Sequence, residues 1–154
     1  MPKGDFIQID IKDKRVKKAF AALIARGEDF TPLTEAIGNH LYILSEETFE
    51  STSSYVGVPW ARLSDKTLKY KETDKTLYET GALRGSLTYE ADRDSAIVGV
   101  NAYPDGSSFA YPATHQFGSK HVPARPFLPF DEHGQVYDTV VDDILLMVKD
   151  YLEL

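Results

Sequence analysis

The spacing of apolar and polar positions changes several times along the chain, and each period predicts a different element. Ile7, Ile9 and Ile11 alternate with Gln8 and Asp10, the period of a half-buried strand. Asp13 then stands where a cap belongs, before a helix in which Val16, Phe20, Leu23 and Ile24 share one face and which Gly27 closes. A second helix is predicted from Thr31 as N-cap with Pro32 at the first helical position. Its stripe runs through Leu33, Ile37, Leu41 and Leu44 to Phe49, and the run Ser51-Thr52-Ser53-Ser54 ends it. Gly57 to Pro59 then lead to Trp60, the single tryptophan.

Beyond that point residues 61–76 are polar and lysine-rich, a loop with some helix, and residues 77–83 make a helical turn ending near Gly81 or Gly85. Residues 86–90 and 96–101 read as an antiparallel pair around the turn-prone Asp92-Arg93-Asp94-Ser95. Tyr103-Pro104-Asp105-Gly106-Ser107-Ser108 is a loop by composition. From about residue 132 to 152, Val136, Tyr137, Val140, Val141, Ile144, Leu145, Val148, Tyr151 and Leu152 fall on one side of a helix. At ~100° per residue they cover about half the circumference, more than the roughly 100° stripe that one core requires. Leu146 lies outside this arc. Two readings follow: a terminal helix buried in its own domain, or one whose surplus apolar surface meets another subunit. With no repeat and no linker, the expected architecture is a single domain over residues 1–154 of α+β class. It comprises a small antiparallel β-sheet packed with two N-terminal helices and a long C-terminal helix.

Composition narrows the function. The chain has 154 residues, of which 42% are hydrophobic, and a domain of this size buries roughly 70% of its unfolded surface, so it needs no staple. The absence of cysteine excludes disulfides and thiolate metal sites. The N-terminus carries no apolar run of the signal-peptide kind, and no stretch is long enough to span a bilayer, so a soluble protein made and used in a cytoplasm is expected. The formal net charge is -7, from 24 acidic and 17 basic residues, which argues against a dedicated nucleic-acid binder. The basic runs at residues 12–18 and 66–75 read as solvated faces.

Catalytic chemistry leaves little trace. There is no Gly-x-Ser-x-Gly elbow, and Gly118-Ser119-Lys120 lacks the earlier glycine of a phosphate loop. His40 falls on the stripe of the second helix, where a hydrogen-bonded core histidine is expected. His115, His121 and His133 show no metal-ligand spacing, so no metal and no cofactor are expected. The acidic pairs Glu46-Glu47 and Asp142-Asp143 read as solvated. A small hydrolase using His115 and a nearby carboxylate would need a pocket where that histidine meets an acid and a nucleophile.

The costly residues cluster in residues 109–130. Phe109, Tyr111, Phe117, Phe127 and Phe130 stand there among Pro112, Pro123, Pro126 and Pro129. Pro123 and Pro126 bracket Ala124-Arg125 and force the residues before them toward extended backbone. A stiff segment is the result, presenting Arg125 and Phe127 in fixed directions and losing little entropy on docking. Either Phe127 and Leu128 plug the domain's own core while Arg125 pairs with a local carboxylate, or Phe127 anchors an interface; for Arg125 an intersubunit contact is expected.

These residues also resemble a family. His115-Gln116-Phe117-Gly118, followed by Pro123-Ala124-Arg125-Pro126-Phe127-Leu128, is similar to the phage virion morphogenesis, or tail-completion, family of contractile-tailed phages and prophages. Other matches keep the same order: Trp60, Leu63 and Thr67, then Leu77-Tyr78-Glu79-Thr80-Gly81-Ala82-Leu83 before Ser86, then Val98-Gly99. The chain departs from the family where Pro129 replaces the usual glycine, where Pro112 follows Tyr111, and in a longer loop at residues 103–110. The resemblance implies a structural, non-enzymatic role: completing the tail and helping to join it to the head, in the tail and neck of a virion assembled in the host cytoplasm. A tail terminator or connector ring is the alternative. Partners would be the tail tube or terminator and the head–tail connector. The subunits would form a homo-oligomeric ring, a hexamer by analogy with tail symmetry, with DNA only passing through its lumen. The candidate interface comprises Trp60, His115, Gln116, Phe117, Gly118, Arg125, Phe127 and Leu146.

Overall fold

A computed structural model describes residues 14–27, 29–62, 82–93, 95–100, 115–120 and 123–153. The expected opening strand at residues 7–11, the Asp13 cap, the lysine-rich stretch beyond residue 62 and the loop at 103–110 lie outside these residues. The elements described are α1 (Lys14–Ala25), α2 (Thr31–Ser51), a single turn α3 (Ala82–Gly85), β1 (Thr88–Ala91), β2 (Ala96–Gly99) and α4 (Asp138–Glu153). This is the expected α+β arrangement of helices on a small antiparallel sheet.

In α1, Val16 and Leu23 are buried and Phe20 packs edge-on against Phe30, with ring centroids 6.0 Å apart. Ile24, expected on the same face, is 57% exposed. It follows Leu23 by one position, and a ~100° step carries it off a narrow contact face. Gly27 closes the helix in the left-handed region, φ +69°, with its N–H donating to the Ile24 carbonyl.

The start of α2 differs from expectation. Thr31 is already helical, and the capping acceptor is Asp29, whose carboxylate takes both the Thr31 N–H (3.0 Å) and its hydroxyl. Asp29 therefore has its pKa held below the usual carboxylate value by hydrogen bonds from the Thr31 hydroxyl and backbone. At the other end Thr52 adopts φ 51°, a left-handed cap, and donates its N–H to Thr48.

Between these ends α2 is the central support of the fold. Leu33, Ile37, Leu41 and Phe49 are buried, as are Thr34, Ser45 and Thr48, whereas Leu44 is only half-buried. The buried hydroxyls are satisfied. Thr34 donates to the Thr31 carbonyl and contacts the Asp92 carbonyl in the hairpin turn, and Thr48 donates to the Ser45 carbonyl. The β1–β2 hairpin pairs Thr88 with Gly99 through Ala91 with Ala96. Its turn is closed by Asp92 N–H to Ser95 O and by the Ser95 hydroxyl to Asp92. Tyr89 lies so close to Gly38 that a Cβ there would stand 2.7 Å from its ring.

The last helix begins later than its periodicity suggests. Residues 131–135 form a turn in which Asp131 Oδ1 accepts the N–H groups of His133 and Gln135 and Gly134 takes φ +79°. Phe130 and Val136 then make an antiparallel bridge, and Tyr137 caps α4 by accepting from Val140 and Val141. Val136 and Tyr137 therefore belong to the turn and not to the helix. Along α4, Val140, Val141, Ile144 and Val148 are buried against α1 and α2, each stabilising the fold by at most roughly 1.5–3 kcal/mol. Leu146 is 57% exposed, as its position outside the arc predicts. No helix among the described residues is long and apolar enough to cross a membrane.

Candidate functional site

The sequence-predicted residues come together as an arch over the C-terminal end of α2. Residues 115–117 make a helical turn, Gly118 takes φ +76°, and residues 123–127 return without regular secondary structure before a bend at Leu128. The Arg125 N–H donates to the His115 carbonyl at 2.7 Å and ties the two limbs.

Gln116 is fully buried between them. Its Oε1 accepts from the backbone N–H of Phe127 and of Leu128, both at 3.0 Å, and its Nε2 donates to the Phe130 carbonyl at 2.9 Å. One side-chain amide thus satisfies three backbone groups in a place that no strand among the described residues reaches. Pro129 is buried here without penalty, because it has no N–H to satisfy. The Phe130 N–H spans it to reach Leu128 O at 2.7 Å.

Trp60 and Arg125 join the arch to the loop that leaves α2. Trp60 Nε1 donates to the Pro126 carbonyl at 2.9 Å, and its ring meets Phe49 edge-on at 5.8 Å. Arg125 Nε donates to the Ala61 carbonyl (2.9 Å) and Nη2 to the Arg62 carbonyl (3.2 Å). Arg125 is only 6% exposed, and burial pushes its pKa below the usual guanidinium value. Among the described residues no carboxylate pairs with it. The arginine expected to reach a neighbouring subunit is therefore engaged first inside its own chain. Phe127 has no exposed surface and packs on Phe49, with ring centroids at 5.4 Å.

Of the candidate interface residues, Trp60, Gln116, Arg125 and Phe127 are thus inward-facing parts of the arch, and His115 and Gly118 are half-buried in it. Phe117 is 40% exposed and stacks on Phe130, and Leu146 lies apart on α4.

The other sequence features fall elsewhere. His40 is half-exposed rather than a core residue, because its side chain reaches across to Asp143 of α4 at 3.0 Å. Its neighbours in the chain, not its own ring, supply the stripe. His133 is exposed beside Glu132, and His121 is outside the described residues. No three His, Asp or Glu side chains among the described residues gather to hold a metal. Gly118-Ser119-Lys120 follows a short helical turn rather than a strand, which is not phosphate-loop geometry. A cleft of about 530 Å³ at the end of α2 is lined by residues such as Glu47, Glu50 and Tyr55, not by His115.

Two structural groups escaped the sequence reading. Arg84 of α3 bridges Glu46 (2.9 Å) and Glu50 on α2, and two carboxylates four residues apart were the available signal for such a cation. Those carboxylates hold the Arg84 pKa above its usual value, chiefly through the Glu46 hydrogen bond. Tyr55 turns its hydroxyl inward to Ser45 and to the Leu41 carbonyl, and stacks on Tyr137 at 6.0 Å.

Among the described residues the arch is a hydrogen-bonded scaffold in which polar side chains serve backbone groups. Residues 11–148 match the phage virion morphogenesis family, and the chain belongs to it: it is a structural protein of phage virion morphogenesis. It is 30% identical to Mu-like prophage FluMu G protein 2 of Haemophilus influenzae, over 96% of this chain and 97% of that protein. Mu-like prophage FluMu G protein 1 of the same organism is 27% identical, over 72% of this chain and 75% of its own length. No solved structure matches significantly.

Proposed function

We propose that this protein completes the phage tail and helps join it to the head, acting at the neck as a ring of identical subunits. Family membership carries this reading. It is supported by a surface that keeps Phe117, Val58 and Leu146 exposed on a chain whose core is otherwise filled. A body that closes a tube must itself close, and closed cyclic rings are built from heterologous contacts. A hexamer would match tail symmetry, with the tail tube or terminator on one side and the connector on the other. The net charge of -7 suits a lumen through which DNA slides, since like charges repel. Acidic residues confined to the outer wall of the ring would sink that last point.

Electron microscopy of lysates from a phage deleted for this gene tests the proposal. Full heads beside separate tails of normal length are the expected result. Overlong tails would assign the chain to tail termination instead, and intact infectious particles would overturn both readings.

A further inference from the structure

Two exposed surfaces of the chain complement each other. The first is the outer side of the seam between residues 58–62 and the arch. The bridge between Ser53 and Pro59, the Ser54 N–H to Val58 O bond and the Trp60 N–H to Thr52 O bond hold this loop rigidly. Trp60 points inward, so Val58 (61% exposed), Pro59 and Ala61 face out. Arg62, exposed and without an ion pair among the described residues, stands at the end of this apolar strip. Arg125 lies directly beneath, its charge solvated by two carbonyls and, among the described residues, not neutralised by any carboxylate. A buried cation ordinarily has an anionic partner, so the strip carries a positive field on an otherwise acidic protein.

The second surface is the solvent side of α4. Leu146, 57% exposed, sits between Asp142 and Asp150, one helical turn to either side. Asp150 is exposed, and Asp142 makes a loose 3.6 Å contact with exposed Arg15. Lys149 and the His40-bonded Asp143 complete the rim, leaving carboxylates in excess around a protruding leucine.

We infer that these surfaces are the two halves of one contact: the Val58–Arg62 strip of one copy seats on the Leu146 face of α4 in the next. Each half offers an apolar centre with charge at its edge, and the two edges carry opposite sign. The halves are different surfaces of the same chain, so the contact is head-to-tail and each added copy leaves both a free strip and a free α4 face. Rotation between copies then closes a ring. The strip needs little ordering on docking, because its backbone is already hydrogen-bonded and proline-stiffened. The inference rests on the ring reading only in taking a second copy as the partner.

The chain contains no cysteine, so disulfide trapping has no background. The purified Val58→Cys/Leu146→Cys double variant, oxidised at neutral pH and run under denaturing conditions, is expected to give a ladder of linked copies that stops at a closed ring. Each single variant is expected to stay monomeric, and both positions are exposed enough for folding to survive. Adding Arg62→Glu to the double variant should remove the ladder, and high salt should weaken it. Dimers from either single variant would mean a two-fold contact and overturn the inference. An unlinked double variant would overturn it too, while leaving the gene-deletion phenotype, and with it the joining role, untouched.

Discussion

Gln116 holds the backbone beside Phe127: its side-chain oxygen lies 3.0 Å from the Phe127 backbone nitrogen, within a site that has no exposed surface. The same amide reaches Leu128 and Phe130, so the arch is held by a side chain where a sheet would use a neighbouring backbone. Gln116→Leu fills the space but strands two N–H groups and one carbonyl. At about 1–3 kcal/mol for each buried group left unsatisfied, the loss should be at least ~3 kcal/mol, read from the urea midpoint. An unchanged midpoint would mean that the arch is held by its apolar contacts alone.

The phenylalanines of the arch should separate sharply. Phe127→Ala empties a closed site against Phe49 and should cost about 3–5 kcal/mol. Phe117→Ala removes a ring that is 40% exposed, and a cost below about 1 kcal/mol is expected. Thermal melts of the two variants side by side check this, and equal losses would contradict the burial pattern.

Arg125→Met keeps bulk but abandons the carbonyls of Ala61 and Arg62. Destabilisation of about 1–3 kcal/mol is expected, against less than about 0.5 kcal/mol for Arg62→Ala on the surface. Chemical denaturation of both variants decides whether Arg125 is a structural residue.

Gly38 faces Tyr89, and an added methyl would stand 2.7 Å from the ring. The ring is already packed against Tyr42 at 5.8 Å, so Gly38→Ala should cost about 1–3 kcal/mol through overpacking. Pairing it with Tyr89→Ala should recover part of that loss, which a double-mutant cycle would measure.

Alkaline pH should weaken the fold through Tyr55. Burial pushes its phenol pKa up, against a smaller opposing effect of the Ser45 hydrogen bond, and the stacked Tyr137 is raised by burial as well. An unfolded chain ionises these phenols near pH 10, while the folded one keeps them neutral. The stability they contribute is therefore fully present below about pH 10 and is lost as pH rises beyond it. Tyr55→Phe should show a shallower decline of melting temperature between pH 9 and 11.

The long elements were legible because their periods are long. The α2 stripe and the hairpin around Asp92 to Ser95 fall where alternation and turn residues place them. Ends were harder. Thr31 has the composition of a cap, yet Asp29 outcompetes it as a charged acceptor two residues earlier. Val136 and Tyr137 fit the helical period of α4, but Asp131 and Gly134 build a turn that ends only at Tyr137. Proline spacing at Pro123 and Pro126 predicted a stiff segment. What it could not reveal is that Arg125 and Gln116 spend their polar groups on backbone atoms of their own chain, because such partners leave no complementary residue to find in the sequence.

The arch and α4 also set the order in which the molecule can be made. The apolar face of α2, with Leu33, Ile37, Leu41 and Phe49, is synthesised early. The hairpin packs on α2 soon afterwards, but other covers arrive late: Phe127 seals Phe49, and Val140 to Val148 come last. At about 5–20 residues per second, translation leaves that face waiting roughly 5–20 s for its partners. Contacts this distant along the chain also slow closure. The nascent protein is thus most vulnerable to misassociation before its final helix emerges, and host chaperones that shield apolar helices would meet it in that interval.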